Sequence, residues 1–589
     1  ILEAAIGLAY HSRLMSFLSK AFRTKSLDQI LRDSEAPGQS LKRTLGPIHL
    51  TALGIGAIIG AGIFATVGTA AAGSPDRPGA GPAIIISFII TAIACAFCAL
   101  CYAELASLIP ISGSAYTYTY ATLGEMVAWI IGWDLIIEYA IGNIGVAISW
   151  SGYFNELLRG IHVGSGTLEI PLWLRSDMQT ALGCRDIVAA GLSAGADKYE
   201  ACRALLASAP HLGGTPLVLN LPAIGIVALI TVVLVIGVKE SSWFNAAMVV
   251  LKLLILTFFV VVGISYIKPE NWHPFSPNGW GGVQAGAAII FFSYIGFDAV
   301  STAAEETKNP KRDLPIGLIA SLVICTFIYI AVAAVLTGML PSPELNTAEP
   351  LAKAFSAIGI NWAAGIVSLG AVVATTAVLL VFQLGQPRIF FSISRDGLLP
   401  RYFARVHPRF RTPHVTTIWT GVVVAVGACL SPLDVIVELT NIGTLFAFVL
   451  VCAGVIILRA TDPSRVRPFR MPWLPLTPLW LVALVGVIVR FAGGNGFGLF
   501  LSIMIVVVCL AGLWLNACAI ARKVAGRPVE EWMKTDLAVA GIGTCFYLMD
   551  GLPWKTWVRF GVWLLAGLVI YFAYGFRKSR LASPATSRP

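Results

Sequence analysis

The sequence predicts an all-α polytopic membrane protein with about fourteen transmembrane helices. Of the 589 residues, 57% are hydrophobic and only 12% are charged, which is about half the ~25% of charged residues in an average soluble domain. Apolar runs such as 244–267 and 553–575 reach the roughly 20 residues that a helix needs to cross the hydrocarbon core of a bilayer. Short polar links separate these runs, so we expect the chain to cross the membrane many times.

The apolar runs divide the chain into spans and domains. The fourteen predicted spans are 48–72, 82–109, 125–158, 217–238, 244–267, 283–304, 314–340, 363–394, 414–431, 434–459, 476–491, 497–521, 535–550 and 554–575. The predicted domains are an N-terminal leader (1–47), a ten-span core (48–459), four C-terminal spans (460–575) and a C-terminal tail (576–589). The core is expected to carry the function, with the leader and the tail on the cytoplasmic side.

The distribution of Lys and Arg predicts this orientation. The links after the sixth, eighth, tenth and twelfth spans carry sixteen of these residues, whereas those after the first, fifth, seventh and thirteenth carry four. Because basic residues collect in cytoplasmic loops, both termini are expected to be cytoplasmic. The same loops explain the net charge of +10, which therefore does not indicate nucleic-acid binding. The long link 159–216 is then extracytoplasmic, as a lid or an inserted loop.

The cysteines predict no metal site and no cofactor. Cys95, Cys98 and Cys101 have the spacing C-x-x-C-x-x-C, but they lie in an apolar helix with no histidine beside them. Small packing residues are the better interpretation of this pattern than metal ligands. Cys184 and Cys202 share the polar link 159–216, where a disulfide forms only if the link faces an oxidising compartment. The sequence leaves that pairing open.

Glycine interrupts two of the predicted spans. The first span contains GIGAIIGAGIF (54–64), and the sixth contains FFSYIGFDAVSTAAEE (291–306) with Gly296 inside it. An interrupted membrane helix leaves backbone groups unpaired, which is tolerated only where protein or a polar cavity meets them. Discontinuous spans at corresponding positions of two halves mark the binding site of many secondary transporters. The ordinals one and six therefore predict two five-span repeats of inverted topology, 48–267 and 283–459.

The interruptions also predict the chemistry of a ligand. The half-helix that follows a break presents free N–H groups and the positive end of its dipole, which suit a carboxylate. Backbone carbonyl groups on the opposing side suit an ammonium group. A site with both ends recognises a zwitterion, so an amino acid is the expected ligand.

Several motifs carry a family resemblance. They are GIGAIIGAGIF, GPAIIISFIITAIACAFCALCYAELASLIPISGSAYTYTYATLGE, IIGWDLIIEY, FFSYIGFDAVSTAAEETKNPKRDLPIG and FFSISRDGLLP. In this order they resemble the amino acid–polyamine–organocation (APC) superfamily, and within it the cationic amino acid transporter family, over about 41–475 and 536–578 without the link 159–216. The resemblance implies a five-plus-five inverted-repeat (LeuT-like) core with the substrate between helices one, three, six, eight and ten. It also implies a bacterial protein of the inner membrane.

The chain departs from this family in two places. Relatives commonly have twelve spans, so 476–534 resembles an inserted pair that is expected to affect lipid or oligomer contacts. In the eighth span, Phe382 stands where animal members have a small Gly-Ser pair. A phenyl ring there shortens the pocket, so a small neutral amino acid is expected rather than arginine.

The first break supplies the expected carboxylate site. Gly60, Ala61 and Gly62 are predicted to bind the carboxylate through backbone N–H groups, while Ile58 and Ile59 line the break. The alternative is a patch of small residues that packs closely against another helix, as in many membrane proteins. The presence of a second break at the matching ordinal favours the binding role.

The second break supplies the expected amine site. Backbone carbonyl groups of Phe292, Ser293 and Ile295 are predicted to accept hydrogen bonds from the amine, and Gly296 permits the unwinding. By the resemblance, Phe297 is an aromatic gate over the substrate. The alternative for Phe297 is ordinary apolar packing.

Lys252 is the predicted proton-coupling residue. It lies in the middle of the fifth span, where a buried ammonium group is costly and is a functional hypothesis by default. By the resemblance, it stands where sodium-coupled members of the superfold place an ion, so protonation is expected to replace sodium binding. The alternative is a lysine whose amine reaches the membrane surface.

Four other polar residues of the core are candidates for further roles. Asp134 and Glu138 lie four residues apart in the third span and share one helix face. They are predicted to balance Lys252 or to join a proton path, and a structural role is an equal alternative. Glu438 and Asn441, near the start of the tenth span, are candidates for an outer gate.

The expected function is proton-coupled import of a small neutral L-amino acid, with the proton and the bilayer as further partners. The alternatives are an amino acid exchanger, a transporter of arginine, lysine or ornithine, and a non-transporting sensor or partner subunit. An enzyme is the least favoured class, since the sequence shows no metal set, nucleophile–base pair or phosphate loop. A small membrane protein or a second copy as partner remains open.

Overall fold

The computed structural model of the chain describes most of the residues between 21 and 579. The described ranges are 21–24, 44–74, 77–109, 114–163, 166–190, 196–213, 215–237, 242–410, 412–492 and 498–579. Most of the predicted leader 1–47 and residues 580–589 of the predicted tail lie outside the described residues. The account below therefore concerns the core and the C-terminal helices.

The described chain is built almost entirely from helices. In the first half they are α1 (Pro47–Ile58), α2 (Val67–Ala72), α3 (Ile84–Leu108), α4 (Ser114–Thr122), α5 (Glu125–Ile136), α6 (Gly142–Arg159), α7 (Met178–Ala190), α8 (Ala196–Ser208), α9 (Leu221–Ile236) and α10 (Ser242–Gly263). In the second half they are α11 (Gly279–Ile290), α12 (Pro310–Met339), α13 (Pro350–Ala357), α14 (Asn361–Arg395), α15 (His414–Leu430), α16 (Leu433–Thr461), α17 (Thr477–Ala492), α18 (Gly498–Val524), α19 (Asp536–Asp550), α20 (Trp554–Ile570) and α21 (Phe576–Lys578).

Short segments of other structure connect or interrupt these helices. Single π-helical segments are Gly62–Thr66, Ile137–Ile141 and Tyr571–Gly575. The 3-10 segments are Gly81–Ala83, Leu172–Leu174, Ile264–Tyr266, Pro269–Trp272, Phe291–Ser293, Phe297–Glu306, Ser342–Leu345, Arg401–Ala404 and Glu531–Lys534. Three antiparallel hairpins pair β1 (Gly73–Ser74) with β2 (Arg77–Pro78), β3 (His162–Val163) with β4 (Gly166–Thr167), and β5 (His211–Leu212) with β6 (Thr215–Pro216).

The described residues contain fewer candidate membrane spans than the fourteen that the sequence predicts. Within the described residues, nine helical segments are long and apolar enough to cross a membrane, or ten if the bent pair Pro47–Ile58 and Gly62–Ala72 is one span. Three shorter apolar helices, Leu221–Ile236, His414–Leu430 and Thr477–Gly486, lie in further predicted spans. The thirteenth predicted span holds α19, which has 15 residues. All fourteen predicted spans thus contain helix, and the count of fourteen crossings stays a prediction.

The core helices pack in two groups. In the first group, α12 packs against both α1 and α3, and α11 packs against α3. In the second group, α14 packs against α6, and α15 packs against α9 and α6. The first group contains the predicted spans one, two, six and seven. The second group contains the predicted spans three, four, eight and nine. In each group, two spans of the first predicted repeat pack with the two spans that hold the same places in the second repeat. This agrees with two five-span repeats, although the inverted-repeat relation itself stays a prediction.

Buried ion pairs fix the end of the core to the chain that follows it. The side chain of Arg459 in α16 donates hydrogen bonds to both carboxylate oxygens of Glu104 in α3, and its Nη1 donates to the carbonyl of Lys534 at 2.8 Å. The Nε atom of Arg467 lies 3.4 Å from Glu104. Asp536 accepts hydrogen bonds from the backbone N–H of Leu476, just before α17, and from the side chains of Trp480 in α17 and Asn516 in α18. The C-terminal helices are thus attached to the core through charged side chains.

The long link between α6 and α9 folds into a helical hairpin. Cys184 in α7 forms a disulfide with Cys202 in α8, so the structure pairs the two cysteines whose pairing the sequence left open. Ala181, Leu205 and Val218 pack with this disulfide in a small hydrophobic cluster of their own. The link therefore has a compact core separate from that of the membrane helices.

Candidate functional site

The first predicted break is present in the structure. Helix α1 ends at Ile58, Ile59 has an extended backbone (φ −75°, ψ 99°), and the chain then resumes as a π-helical segment at an angle of 40°. The break occurs where another segment approaches closely, because a Cβ atom on Gly62 would lie 2.3 Å from the Cα atom of Ser293. A Cβ atom on Gly60 would lie 2.9 Å from Val378. These glycines make room for neighbouring segments.

The second predicted break is also present. Helix α11 ends at Ile290, a 3-10 turn covers Phe291–Ser293, and a second 3-10 segment runs from Phe297 to Glu306. Gly296 between them has a φ of +113°, a left-handed conformation that favours glycine. A Cβ atom on Gly296 would lie 2.9 Å from the carbonyl oxygen of Ala57. Gly296 therefore allows both the turn and its contact with α1.

The two breaks contact each other, as the prediction requires. The hydroxyl of Thr66 donates to the carbonyl of Gly62 at 2.6 Å and lies 3.3 Å from the hydroxyl of Ser293. The hydroxyl of Tyr153 in α6 donates to the carbonyl of Phe64 at 2.5 Å. The structure thus brings the predicted residues around Gly62 and Ser293 to one place, beside the third predicted span.

Lys252 lies directly beside the first break. Its Nζ atom donates hydrogen bonds to the carbonyl oxygens of Gly56, at 2.6 Å, and Ile59, at 2.9 Å, and the residue is only 1% exposed. The hydroxyl of Tyr329 in α12 donates to the carbonyl of Ile58 at 3.0 Å. Two side chains therefore bind the carbonyl groups that the break leaves without helical partners. The amine points into the protein and does not reach the membrane surface.

Phe382 in α14 lies against the third predicted span. Its ring centre is 5.6 Å from that of Tyr139, and a Cβ atom on Gly142 would lie 3.4 Å from the Phe382 ring. Phe292 approaches the same helix, since a Cβ atom on Gly145 would lie 3.4 Å from its Cζ atom. Two aromatic rings thus meet a glycine-bearing face of α6.

Phe297 has surroundings different from those of Phe292. It is fully buried, with its ring centre 5.9 Å from that of Tyr102 and 5.2 Å from that of Phe448. This environment matches the alternative of apolar packing, while Phe292 is the ring that faces α6. The gate role of Phe297 stays a prediction. From the sequence, Phe292 is expected to contribute only its backbone carbonyl, since spacing alone does not show where a side chain points after an unwound segment.

Asp134 and Glu138 lie in a cluster of carboxyl groups with Asp298. Glu138 is close enough to Asp134 and Asp298 to interact electrostatically with both. Neither carboxylate oxygen of Asp134 has a hydrogen-bond partner among the described residues. The hydrogen bonds of Lys252 in the described chain go to backbone carbonyl groups, and charge balance between Lys252 and these acids stays a prediction. A proton path through them stays a prediction.

Three residues at or near the site were not predicted from the sequence. The hydroxyls of Tyr329 and Tyr153 bind backbone carbonyl groups at the first break, yet each stands in an apolar span where tyrosine is common. Arg77, in the loop after the first span, lies 3.8 Å from Glu438, the predicted outer-gate residue. Its position directly after a broken span was the one signal in the sequence.

Comparison with known proteins agrees with this geometry. The amino acid permease model matches residues 45–512, and a model of the C-terminus of amino acid permeases matches 538–579. Two Bacillus subtilis proteins are each 40% identical to the chain: the branched-chain amino acid permease BcaP (95% of this chain, 98% of the relative) and the methylthioribose transporter (96% and 100%).

Mammalian proteins are similar over the same length. Cationic amino acid transporter 4 of Mus musculus is 31% identical over 98% of this chain and 93% of its own length. These relatives are permeases and transporters, and the matched region includes both broken spans. The chain therefore belongs to the amino acid permease family of the amino acid–polyamine–organocation superfamily.

Proposed function

We propose that the protein is a secondary active transporter that couples the import of a small neutral L-amino acid to a proton, by alternating access to a central site. The observation that carries this proposal is the position of Lys252. Its buried amine holds the carbonyl groups of Gly56 and Ile59, next to the residues proposed to bind the substrate carboxylate. A change of charge on this amine therefore acts on the substrate-binding segment directly.

The hydrogen bonds of Lys252 give the coupling a physical basis. Hydrogen bonds from an ionised donor are roughly twice as strong as those between neutral groups. Loss of the proton from Lys252 weakens its hold on Gly56 and Ile59, and with it the bend that presents Gly60–Gly62. Proton and amino acid then favour each other's binding, because coupling between two sites is reciprocal.

The position of Phe382 favours a substrate with a small neutral side chain. Its ring lies between Tyr139 and the α6 backbone at Gly142 and occupies space that a long cationic side chain needs. The branched-chain amino acid permease BcaP carries neutral apolar amino acids by its name, and it is 40% identical to this chain. Cationic amino acids remain the alternative, because cationic amino acid transporters are also among the relatives.

The experiment that tests the proposal is uptake into proteoliposomes of the purified protein. Labelled alanine, leucine and arginine are offered separately, with and without an inward proton gradient. The variants are Lys252→Met, which removes the amine, and Lys268→Met, a matched change near the outer end of the same predicted span. We expect gradient-driven alanine uptake by the wild type and by Lys268→Met, and none by Lys252→Met.

The other outcomes separate the alternatives. If uptake does not depend on the proton gradient but requires an amino acid inside the proteoliposomes, the protein is an exchanger. That result rejects the coupling role of Lys252. Strong arginine uptake rejects the interpretation of Phe382. Leucine uptake well above alanine uptake keeps the neutral class but moves the substrate to branched-chain amino acids. Absence of uptake for all three, with intact protein, contradicts the proposed substrate class.

A further inference from the structure

A group of exposed arginines lies in the link between α14 and α15. The three arginines are Arg401, Arg405 and Arg409, and the only acidic residue of the link is Asp396. The carboxylate of Asp396 accepts a hydrogen bond from the hydroxyl of Tyr116 at 2.8 Å. Among the described residues, no carboxylate lies within ion-pair distance of the three arginines. The link therefore carries positive charge that the described chain does not neutralise.

Other arginines on the same predicted side of the membrane have carboxylate partners. Arg470 lies 3.3 Å from Glu531, and Arg522 forms an ion pair with Glu530. Basic residues collect on the cytoplasmic side of membrane proteins in general, so their number alone indicates no ligand. The three arginines of the α14–α15 link differ from these two in their lack of a carboxylate partner. Their N–H groups are therefore available to an anion from outside the chain.

Two of the three guanidinium groups lie over aromatic rings. The guanidinium carbon of Arg405 is 5.2 Å from the ring centre of Tyr402, and that of Arg409 is 5.5 Å from the ring centre of Phe410. A ring contacts the face of a guanidinium group, whereas the N–H donors point outward in its plane. An anion therefore reaches the donors without displacing the rings. Two N–H groups of one guanidinium match two oxygens of a phosphate.

Hydrogen bonds hold this part of the link in a defined turn. The Nδ1 atom of His407 accepts from the backbone N–H groups of Arg409 and Phe410, both at 3.2 Å. The backbone N–H of His407 donates to the carbonyl of Thr412 at 2.8 Å. The hydroxyl of Thr412 donates to the carbonyl of Val235, near the end of α9, at 2.7 Å. The arginines thus extend from a preformed turn, which lowers the entropy cost of binding a ligand.

Exposed apolar side chains lie among the arginines. Val406 and Phe410 are both exposed. The ring of Phe403 stacks on that of Phe390 in α14, with 5.5 Å between the ring centres, so the link packs against the end of a candidate membrane span. Basic and aromatic side chains at the end of a span are typical of the membrane–water interface. A free phosphate offers no partner for the apolar side chains, whereas an anionic phospholipid offers both a phosphate and acyl chains.

We propose that Arg401, Arg405 and Arg409 bind the phosphate of an anionic phospholipid in the adjacent leaflet of the membrane. The exposed side chains of Val406 and Phe410 contact the upper part of its acyl chains. This site is independent of the proposed transport function, because none of its residues belongs to the two broken spans. Phosphatidylglycerol, which has one negatively charged phosphate and two acyl chains, is the probe for this chemistry.

The test locates the bound lipid and measures its affinity together. A phosphatidylglycerol with a photoreactive group in one acyl chain is added to the purified full chain in a neutral detergent. Mass spectrometry then quantifies the crosslinked peptide that contains the α14–α15 link at each lipid concentration. In Arg405→Gln with Arg409→Gln, we expect half-saturation at about 25-fold more lipid, since each basic residue near an anionic surface contributes about fivefold to affinity.

The matched control removes the same number of charges elsewhere. Arg470→Gln with Arg522→Gln changes two arginines that already have carboxylate partners, and it is expected to leave half-saturation unchanged. Unchanged half-saturation in Arg405→Gln with Arg409→Gln overturns the site. An equal rise in both double variants also overturns it, because overall charge then attracts the lipid. The four side chains are at least partly exposed, so equal thermal unfolding temperatures are expected for the two double variants.

Two further ligands separate the phosphate from the acyl chains. A phosphatidylcholine with the same photoreactive chain has no net charge, and it is expected to crosslink to the link only weakly. Equal crosslinking by this neutral lipid rejects the role of the arginines. Glycerol phosphate, which carries the phosphate without acyl chains, is expected to compete only at much higher concentration than the lipid. If it competes at a similar concentration, the link binds a free phosphate and the lipid site is rejected.

Discussion

The Nζ atom of Lys252 lies 2.9 Å from the carbonyl oxygen of Ile59, the residue at which the first predicted span leaves its helix. The amine therefore takes the place of a helical N–H donor that the break has removed. Such a position makes the fifth span sensitive to the shape of the first. It also makes the conformation of the first span dependent on whether the amine carries a charge.

Tyr329→Phe tests whether the hydrogen bond from Tyr329 to the carbonyl of Ile58 also stabilises the bent conformation of the first span. The change removes the hydrogen bond to the carbonyl of Ile58, a loss of about 1 kcal/mol for a typical buried hydrogen bond. We expect uptake to fall about fivefold while its dependence on the proton gradient is retained, because Lys252 is still present. Tyr402→Phe, at a 44% exposed tyrosine, is the control. Loss of gradient dependence in Tyr329→Phe contradicts a purely structural role.

Gly62→Ala tests the contact between the two breaks. The added methyl group would lie 2.3 Å from the Cα atom of Ser293, so backbone has to move. Overpacking of this kind costs about 1–3 kcal/mol, and we expect uptake to fall at least about tenfold with normal insertion in the membrane. Gly225→Ala in α9 is the matched control, since no atom lies within 4 Å of its added Cβ. Full uptake in Gly62→Ala means that the breaks need not touch.

Phe382→Ala tests the size limit of the pocket. Removal of the ring opens the space beside Tyr139 and Gly142, so larger amino acids are expected to enter. Each extra methylene in an apolar pocket changes discrimination by about tenfold or more, and we expect the ratio of leucine to alanine uptake to rise by at least that factor. Phe327→Ala, at a side chain that is 73% exposed in α12, is expected to leave the ratio unchanged. An unchanged ratio in Phe382→Ala places the ring away from the substrate.

The breaks and Lys252 were predictable because they violate a strong rule of membrane helices. Glycines at 54–64, and a lysine amid apolar residues, are costly in a span unless they have a use. The positions of side chains after a break were not predictable in the same way. Gly296 takes a left-handed conformation, and beyond it helical periodicity no longer tells where Phe297 points.

Partners from distant parts of the chain were the other gap. Glu438 was a candidate from its own position, but its partner Arg77 is 361 residues away in the sequence and in a short hairpin. Tyr329 gave no signal at all, because a tyrosine in an apolar span has many ordinary roles. Pairings of this kind depend on how the two groups of helices pack, which the pattern of one span does not contain.

Cys184→Ser tests both the disulfide and the predicted orientation. The bond closes a segment with a sequence separation of 18, and closing a loop of that size stabilises it by about 3 kcal/mol in the chain-entropy model. We expect the α7–α8 hairpin to become sensitive to protease added from outside, while uptake persists. In the wild type, a membrane-impermeant reductant has the same effect only when it is added to the outer side. If the reductant acts only when it is added to the cytoplasmic side, the predicted orientation is wrong.

Glu104→Gln tests the attachment of the C-terminal helices to the core. Glu104 is 1% exposed and accepts hydrogen bonds from Arg459 and from the backbone N–H of Met471. Removing one partner of a buried ion pair costs about 3–5 kcal/mol, because the other charge is left buried and unpaired. We therefore expect a clear drop in the thermal unfolding temperature of the purified protein.

The double variant Glu104→Gln with Arg459→Gln decides whether the loss comes from the pair itself. Because both changes remove the same interaction, it should be destabilised by less than the sum of the two single variants. Glu169→Gln, in an exposed ion pair, is the control and should change stability by about 0–1 kcal/mol. A strictly additive double variant means that Glu104 and Arg459 stabilise the protein through separate contacts. In that case the link to α19 depends on the hydrogen bonds of Asp536 instead.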